Sequence, residues 1–177
     1  MDFAIDLETL GRQAGCVILS VGAVAFERDG HDLTKSFYKE AALDQQLKQG
    51  HKVEADTLRW WAAQENLDVL IGSDGHRMDL WEILNELSGF VSVPMTEDSC
   101  VWSTGTDFDI AMLRWMYDHY DLAWPFKYWA SRDLRTLCDI TRFDRENFVV
   151  DGIRPHHALD DARYAAMVVQ AALRGKK

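Results

Sequence analysis

The chain is expected to be an α/β protein with a mixed sheet, antiparallel over its first three strands and parallel thereafter, flanked by α-helices. Two observations predict this. Residues 2–38 hold three apolar runs separated by short turns, which favours antiparallel pairing of neighbours. From residue 58 onward, apolar residues at helical spacing alternate with short apolar runs, which adds parallel strands and covering helices.

The first strand spans about Asp2 to Glu8, with Phe3, Ile5 and Leu7 on one face and Ala4, Asp6 and Glu8 on the other. A turn follows over Gly11 to Gly15. Residues 16–26 are apolar on both faces and predict a strand covered on both sides. Leu33 to Tyr38 supplies the third strand. Leu58, Trp61 and Ala62 mark a short helix, and Leu80, Ile83, Leu84, Leu87 and Phe90 mark a longer one. Residues 99–103 form a buried strand, followed by a helix from Phe108 through Trp115. Residues 127–131 form a further strand and 133–140 a helix. The last helix starts near Leu159 and buries Ala162, Ala165, Ala166, Val169, Ala172 and Leu173.

With 177 residues and no repeat or linker, a single domain over residues 1–173 is expected, followed by a polar tail over 174–177 that is frayed. The hydrophobic share of 47% and charged share of 27% suit a globular chain. Cys16, Cys100 and Cys138 form no C-x-x-C pair and read as buried free thiols. No basic n-region precedes the first apolar stretch, and no apolar run nears the ~18 residues of a membrane span. A cytoplasmic protein without membrane contact is expected. The net charge is −10, from 19 Lys+Arg against 29 Asp+Glu. Proteins that coat long nucleic acids rely on many Lys/Arg–phosphate contacts, so that class is disfavoured. An enzyme that grips a few nucleotides is not.

Three short patterns carry chemistry. Asp6 and Glu8, two apart on a strand, emerge on the same face beside an apolar strand, where an uncompensated carboxylate pair is costly. Gly105-Thr106-Asp107-Phe108-Asp109 leads from a strand end through a glycine turn into a helix, and so puts Asp109 at the carboxyl end of a strand. His156-His157-Ala158-Leu159-Asp160-Asp161 places a loop histidine ahead of Asp161 in the first turn of the last helix. On one helix such residues would lie about 140° apart, so they converge only if the loop folds back. Each pattern alone also reads as helix capping or solvated polar surface.

The three together, in this order, resemble the motifs of the DEDDh (DnaQ-like) 3'-5' exonuclease family, of ribonuclease-H-like fold. Asp6-Leu7-Glu8-Thr9-Leu10-Gly11 is similar to the first motif, Phe108-Asp109 to the second, and His156 through Ala162 to the third. The resemblance implies Asp6, Glu8, Asp109 and Asp161 as ligands of two Mg²⁺ or Mn²⁺ ions and His156 as general base, with His157 and Asp160 as neighbours outside the set. It implies release of nucleoside 5'-monophosphates from a 3' end of single-stranded RNA or DNA or a 3' overhang, with Thr9, Leu10 and Phe108 against the terminal nucleotide. Carboxylate oxygens favour Mg²⁺ or Mn²⁺ over zinc, and histidine titrates where a base is needed. Thr57-Leu58-Arg59-Trp60-Trp61 and Arg132-Asp133-Leu134-Arg135-Thr136-Leu137 resemble a small bacterial and prophage exoribonuclease-like subfamily, which leans the substrate toward RNA. Trp60 and Trp61 are expected to be mainly structural, one buried and one half-exposed. Homodimers are common among the family's small members. A ribonuclease-H-type endonuclease is disfavoured because Glu8 follows Asp6 so closely. The alternatives are a catalytically weak nucleic-acid-binding module and a proofreading or trimming subunit that needs a partner.

Overall fold

The computed structural model describes residues 1–64 and 77–175. Its sheet has five strands in the order β3-β2-β1-β4-β5. β1 (Asp2–Thr9) runs antiparallel to β2 (Ile18–Phe26), and β2 antiparallel to β3 (Leu33–Glu40). β4 (Val101–Ser103) lies parallel to β1, and β5 (Ser131–Asp133) parallel to β4. The expected mixed sheet is therefore present. Among the described residues the helices are α1 (Leu43–Lys48), α2 (Ala55–Ala62), α3 (Leu80–Ser92), α4 (Asp109–His119), α5 (Leu134–Thr141) and α6 (Ala158–Arg174).

The alternation along β1 sorts the molecule into two layers. Phe3, Ile5 and Leu7 pack with Ile83, Leu84 and Leu87 of α3 and with Leu113 and Met116 of α4. Ala4 faces the opposite way, with Val24 and Phe26 of β2 and Ala162, Ala165 and Val169 of α6. Asp6 and Glu8 continue the Ala4 face, so their side chains leave the sheet toward the start of α6. All residues of β2 are buried, as its two-sided apolar run requires. The small alanine stripe of α6 lets the helix lie close against that sheet face.

One buried carboxylate fixes the other end of β1. Asp2 is 3% exposed. It accepts from Arg28 Nε at 2.8 Å and Nη2 at 2.9 Å, from the Cys100 N–H at 3.0 Å and from Trp102 Nε1 at 2.8 Å. A buried charge persists only with such partners. Asp2 thereby ties β1 to β4 and sets the register that carries Asp6 and Glu8 forward.

Several expectations are corrected. The strand placed at 127–131 begins only at Ser131. Residues 127–130 form a turn closed by the Ala130 N–H on the Lys127 carbonyl at 3.0 Å, with Tyr128 and Trp129 exposed. Strand β2 begins at Ile18, because Val17 instead donates its N–H to the Lys52 carbonyl at 2.9 Å. In α2 only Trp61 is buried, and Leu58 and Ala62 face solvent, since a two-turn helix lays a narrow stripe on the core. Helix α1 has no apolar period to announce it. It is held by buried Gln46, whose amide bonds the Ile18 N–H at 2.8 Å and the Ile18 carbonyl at 2.9 Å, standing in for a strand neighbour. Of the tail placed at 174–177, Arg174 is helical and its guanidinium bonds the Gly30 carbonyl at 2.6 Å. Residues 176–177 lie outside the described residues. Cys16, Cys100 and Cys138 are free and buried, as expected. Among the described residues no helix is long and apolar enough to cross a membrane.

Candidate active site

Three elements converge at the carboxyl end of β1. Gly22 pairs in register with Asp6 on the neighbouring strand. A Cβ on Gly22 would meet the Ala158 carbonyl carbon at 2.2 Å and the Leu159 nitrogen at 2.3 Å. The absent side chain therefore lets the first turn of α6, and Asp161 with it, come down beside Asp6 and Glu8. Asp109 arrives from the other side. The Phe3 N–H donates to the Cys100 carbonyl at 2.9 Å, so the N–H groups of alternate residues along β1 point toward β4. By Leu7 that strand has ended, and the Leu7 N–H donates instead to Asp109 Oδ1 at 3.3 Å. A backbone donor freed by a short strand thus holds the second-motif carboxylate.

His156 has a left-handed backbone, φ 59°, and its N–H donates to Asp161 Oδ2 at 2.9 Å. This is the fold-back that convergence needs. One donor atom each from Glu8, His156 and Asp161 lies within 4.8 Å of the others. The same cleft, of about 530 Å³, is lined by Asp6, Glu8, Phe108, Asp109, His156 and Asp161. An adjoining pocket of about 430 Å³ shares Leu7, Glu8 and Phe108 with it and extends to Thr9, Thr57 and Trp60.

The carboxylates perturb one another. Burial, and then Asp109, Glu8 and Asp161, hold the Asp6 pKa well above its usual range. Burial, followed by Asp161 and Asp109, pushes Glu8 up to about 8. Burial lifts Asp109 to about 7, against the opposing pull of the Leu7 N–H and the Arg135 guanidinium. Asp161 is raised by burial and eased by the His156 N–H. Protein alone leaves this cluster short of positive charge. Its donors are hard oxygens with one imidazole beside them and no thiolate, a set that fits Mg²⁺ or Mn²⁺.

The neighbouring candidates take other partners. Asp160 is 2% exposed and pairs with Arg154 at 2.8 Å and Arg163 at 3.1 Å. His157 stacks on Tyr38, with ring centroids 4.5 Å apart. Thr9 lines the second pocket while its hydroxyl donates to the Gly11 carbonyl at 2.6 Å. Leu10 does not reach either cleft wall and is buried with Val17, Leu19 and Trp61. Phe108 is half-buried, lining both clefts and also touching the core. Trp61 is 1% exposed, with its indole N–H on the Thr9 carbonyl at 2.9 Å. Trp60 is 41% exposed and meets the His156 ring edge-on at 4.7 Å, so one tryptophan is structural and the other reaches the site. Arg135 and Arg145 line the far wall. Arg135 falls in the segment that resembles the exoribonuclease-like subfamily, but nothing local in the sequence marks either arginine as facing the cleft.

The sequence profile of the family described as the 3'-5' exoribonuclease Rv2179c-like domain matches residues 1–173. Among solved structures, the chain is similar to the nuclease domain of 3'hExo, a DEDDh family member, bound to rAMP: identity is 12%, coverage 97% of this chain and 90% of that one, and the TM-score 0.61. It is similar to exonuclease I at 13% identity and TM-score 0.65, covering 97% of this chain but only 41% of that one. A 3'-exonuclease solved in a study of 3'-end-specific recognition of a histone mRNA stem-loop matches at 12% identity and TM-score 0.57, over 98% and 82% of the two chains. At such identities the likeness shows the fold. No protein with a curated description matches the chain in sequence.

Proposed function

Given that the chain belongs to the Rv2179c-like 3'-5' exoribonuclease family, and is thus a 3'-5' exonuclease of the DEDDh, ribonuclease-H-like type, we propose that Asp6, Glu8, Asp109 and Asp161 hold two divalent cations, Mg²⁺ or Mn²⁺, and that His156 is the general base. The observation that carries this reading is the convergence of Glu8, His156 and Asp161 donor atoms within 4.8 Å, in the cleft that Asp6 and Asp109 complete. When bound, the cations supply Lewis-acid stabilisation of the charge that builds on a phosphodiester in flight.

The chain's own groups do the rest. Thr9 and Phe108 line the pocket that takes the 3'-terminal nucleoside, and Trp60 offers its exposed face to the base. His156 takes the proton of the attacking water, and the water oxygen bonds to phosphorus. The bond from phosphorus to the O3' of the penultimate sugar breaks, and that oxygen gains a proton from solvent. The products are a nucleoside 5'-monophosphate and a strand one residue shorter with a free 3'-hydroxyl. Asp109, tethered by the Leu7 N–H, and Asp161, tethered by the His156 N–H, keep their carboxylates oriented to hold the cations. The substrate is a single-stranded 3' end or a 3' overhang, with RNA preferred to DNA; the family description supports RNA.

The test uses matched 5'-labelled single-stranded RNA and DNA with Mg²⁺, Mn²⁺ or EDTA, alongside Asp6→Ala. The expected result is a ladder that shortens from the 3' end, faster on RNA, absent in EDTA and in the variant. Degradation that persists in Asp6→Ala would overturn the assignment of the site.

A further inference from the structure

The carboxylate cleft opens, on the side away from the nucleoside pocket, into a groove of about 380 Å³. Arg135, Arg145 and Glu146 line both spaces and form the wall they share. The three spaces therefore follow one another: a pocket with Trp60, the acidic cleft, and a groove entered between two arginines.

Two features bear on what these arginines can bind. Among the described residues, neither has a carboxylate within ion-pair distance, although the chain carries 29 Asp+Glu. Other arginines of this acidic chain do find acids, as Arg28 does with Asp2 and Arg163 with Asp160. Both face the cleft, Arg135 as an exposed side chain of α5 and Arg145 from a loop tied to α6. Arg145 is half-buried, and its carbonyl accepts from the Tyr164 hydroxyl at 2.6 Å and from the Phe148 N–H at 3.2 Å, which pins its backbone to α6. Arg135 lies across the Gly105 turn, where its Nη1 would sit 3.1 Å from a Cβ. Among the described residues, the acids that line the groove, Asp139, Asp144 and Glu146, make no ion pair with either arginine. Asp144 is turned into its own loop, accepting from the Asn147 side chain at 2.7 Å, and Glu146 is exposed.

We infer that Arg135 and Arg145 clamp the phosphate immediately 5' of the scissile one, so that the enzyme reads at least two successive phosphates of its strand. This rests on the exonuclease reading for the direction of the strand. With the terminal nucleoside in the Trp60 pocket and its phosphate at the carboxylates, the next phosphate falls, among the described residues, against the arginine-lined wall. Guanidinium groups suit a phosphate because their planar donors bind two oxygens at once. The clamp also offsets the repulsion between a polyanion and a protein of net charge −10.

The test measures anisotropy of a 5'-fluorescein pentaribonucleotide against salt, in Ca²⁺, with a gel of the same samples to show the strand intact. Each phosphate contact on a single strand contributes about 0.7 to the slope of log affinity against log salt. Arg135→Gln and Arg145→Gln should each lower the slope by about that amount, and the double variant by about twice it. Arg135→Lys and Arg145→Lys should keep the slope, as should the control Arg132→Gln, whose guanidinium bonds the Trp129 and Ser131 carbonyls. A double variant with the wild-type slope and affinity overturns the clamp, whether or not the enzyme trims RNA. A wild type that binds with the full slope but releases no mononucleotide in Mn²⁺ overturns the exonuclease reading, and with it the clamp's place relative to a scissile phosphate, while the two arginine–phosphate contacts remain.

Discussion

The backbone N–H of His156 donates to the carboxylate of the residue five positions later, Asp161, at 2.9 Å. The bond exists because His156 lies just ahead of α6 with φ at 59°, a conformation that turns the chain back over the helix start. It brings the imidazole to the carboxylates without making it a helical residue.

His156→Ala should therefore lower kcat by ~10²–10⁴, the usual worth of a general base, while Mn²⁺ still raises the melting temperature. His157→Ala removes a ring stacked on Tyr38 and should act mainly on stability. Single-turnover kinetics with a melting curve for each variant separates the two. If His157→Ala were the crippling change, the third-motif register would be wrong.

Asp6 stands among three other carboxylates with its pKa well raised, by burial first and then by Asp109, Glu8 and Asp161. Asp6→Asn removes one of these negative charges. In EDTA the variant should melt at or above the wild type, whereas the gain on adding Mn²⁺ should shrink. A wild-type gain of ~2–3 kcal/mol at saturating cation would raise Tm by roughly 4–12 °C for a chain of this size. Differential scanning calorimetry with and without Mn²⁺ decides, and an undiminished gain in Asp6→Asn would remove it from the ligand set.

The same charges give the metal-free protein a pH dependence. Glu8 titrates at about 8 in the fold against an ordinary value of 4.5, and Asp109 at about 7 against 3.8. Between those limits the folded state holds protons that the unfolded state has released. Raising the pH then favours unfolding. In EDTA the melting temperature should fall from about pH 5 to about pH 8 through these groups. Saturating Mn²⁺ should flatten or reverse the slope, because ionised carboxylates bind it. Parallel slopes with and without Mn²⁺ would mean that the carboxylates do not meet the ion.

The sheet and the carboxylates were legible in the sequence. Strand alternation puts Asp6 and Glu8 on one face, and helix starts place Asp109 and Asp161, but each pattern alone reads equally as capping or polar surface; the resemblance of the three motifs together is what joins the four into one site. The arrangement that makes the site compact was not legible. Gly22 reads as one more small residue in an apolar strand, and only contact with the α6 backbone shows why a side chain is excluded there. Gln46 reads as a polar surface residue, yet it is fully buried and completes the hydrogen bonding of Ile18. Arg135 and Arg145 lie ten residues apart on a helix and a loop, and their convergence depends on how α5 meets the Gly105 turn. Each of these is a tertiary contact between distant segments, which no local periodicity encodes. Tyr128 and Trp129 mislead for the converse reason. Their β-favouring side chains suggest a strand, but the pairing available beside β4 begins at Ser131.

Gly22→Ala is the sharpest test of that compactness. A methyl group there would meet Ala158 and Leu159 backbone atoms at 2.2–2.3 Å, and backbone cannot rotate away as a side chain end can. The start of α6 must lift from β2, carrying Asp161 away from Asp6. Overpacking of this kind costs ~1–3 kcal/mol or more, so Tm should fall by several degrees. Activity should fall further than the unfolded fraction explains, since a carboxylate displaced by about 1 Å can cost ~10²-fold in rate. Gly89→Ala provides the contrast. Gly89 lies within α3, and a Cβ added there would have nothing within 4 Å, so alanine should stabilise the helix by ~0.5–1 kcal/mol and leave the site untouched. Thermal melts and kcat, measured on both variants well below their melting temperatures, give the comparison. A Gly22→Ala protein that melts and turns over like the wild type would mean that α6 does not need the glycine to bring Asp161 to the site.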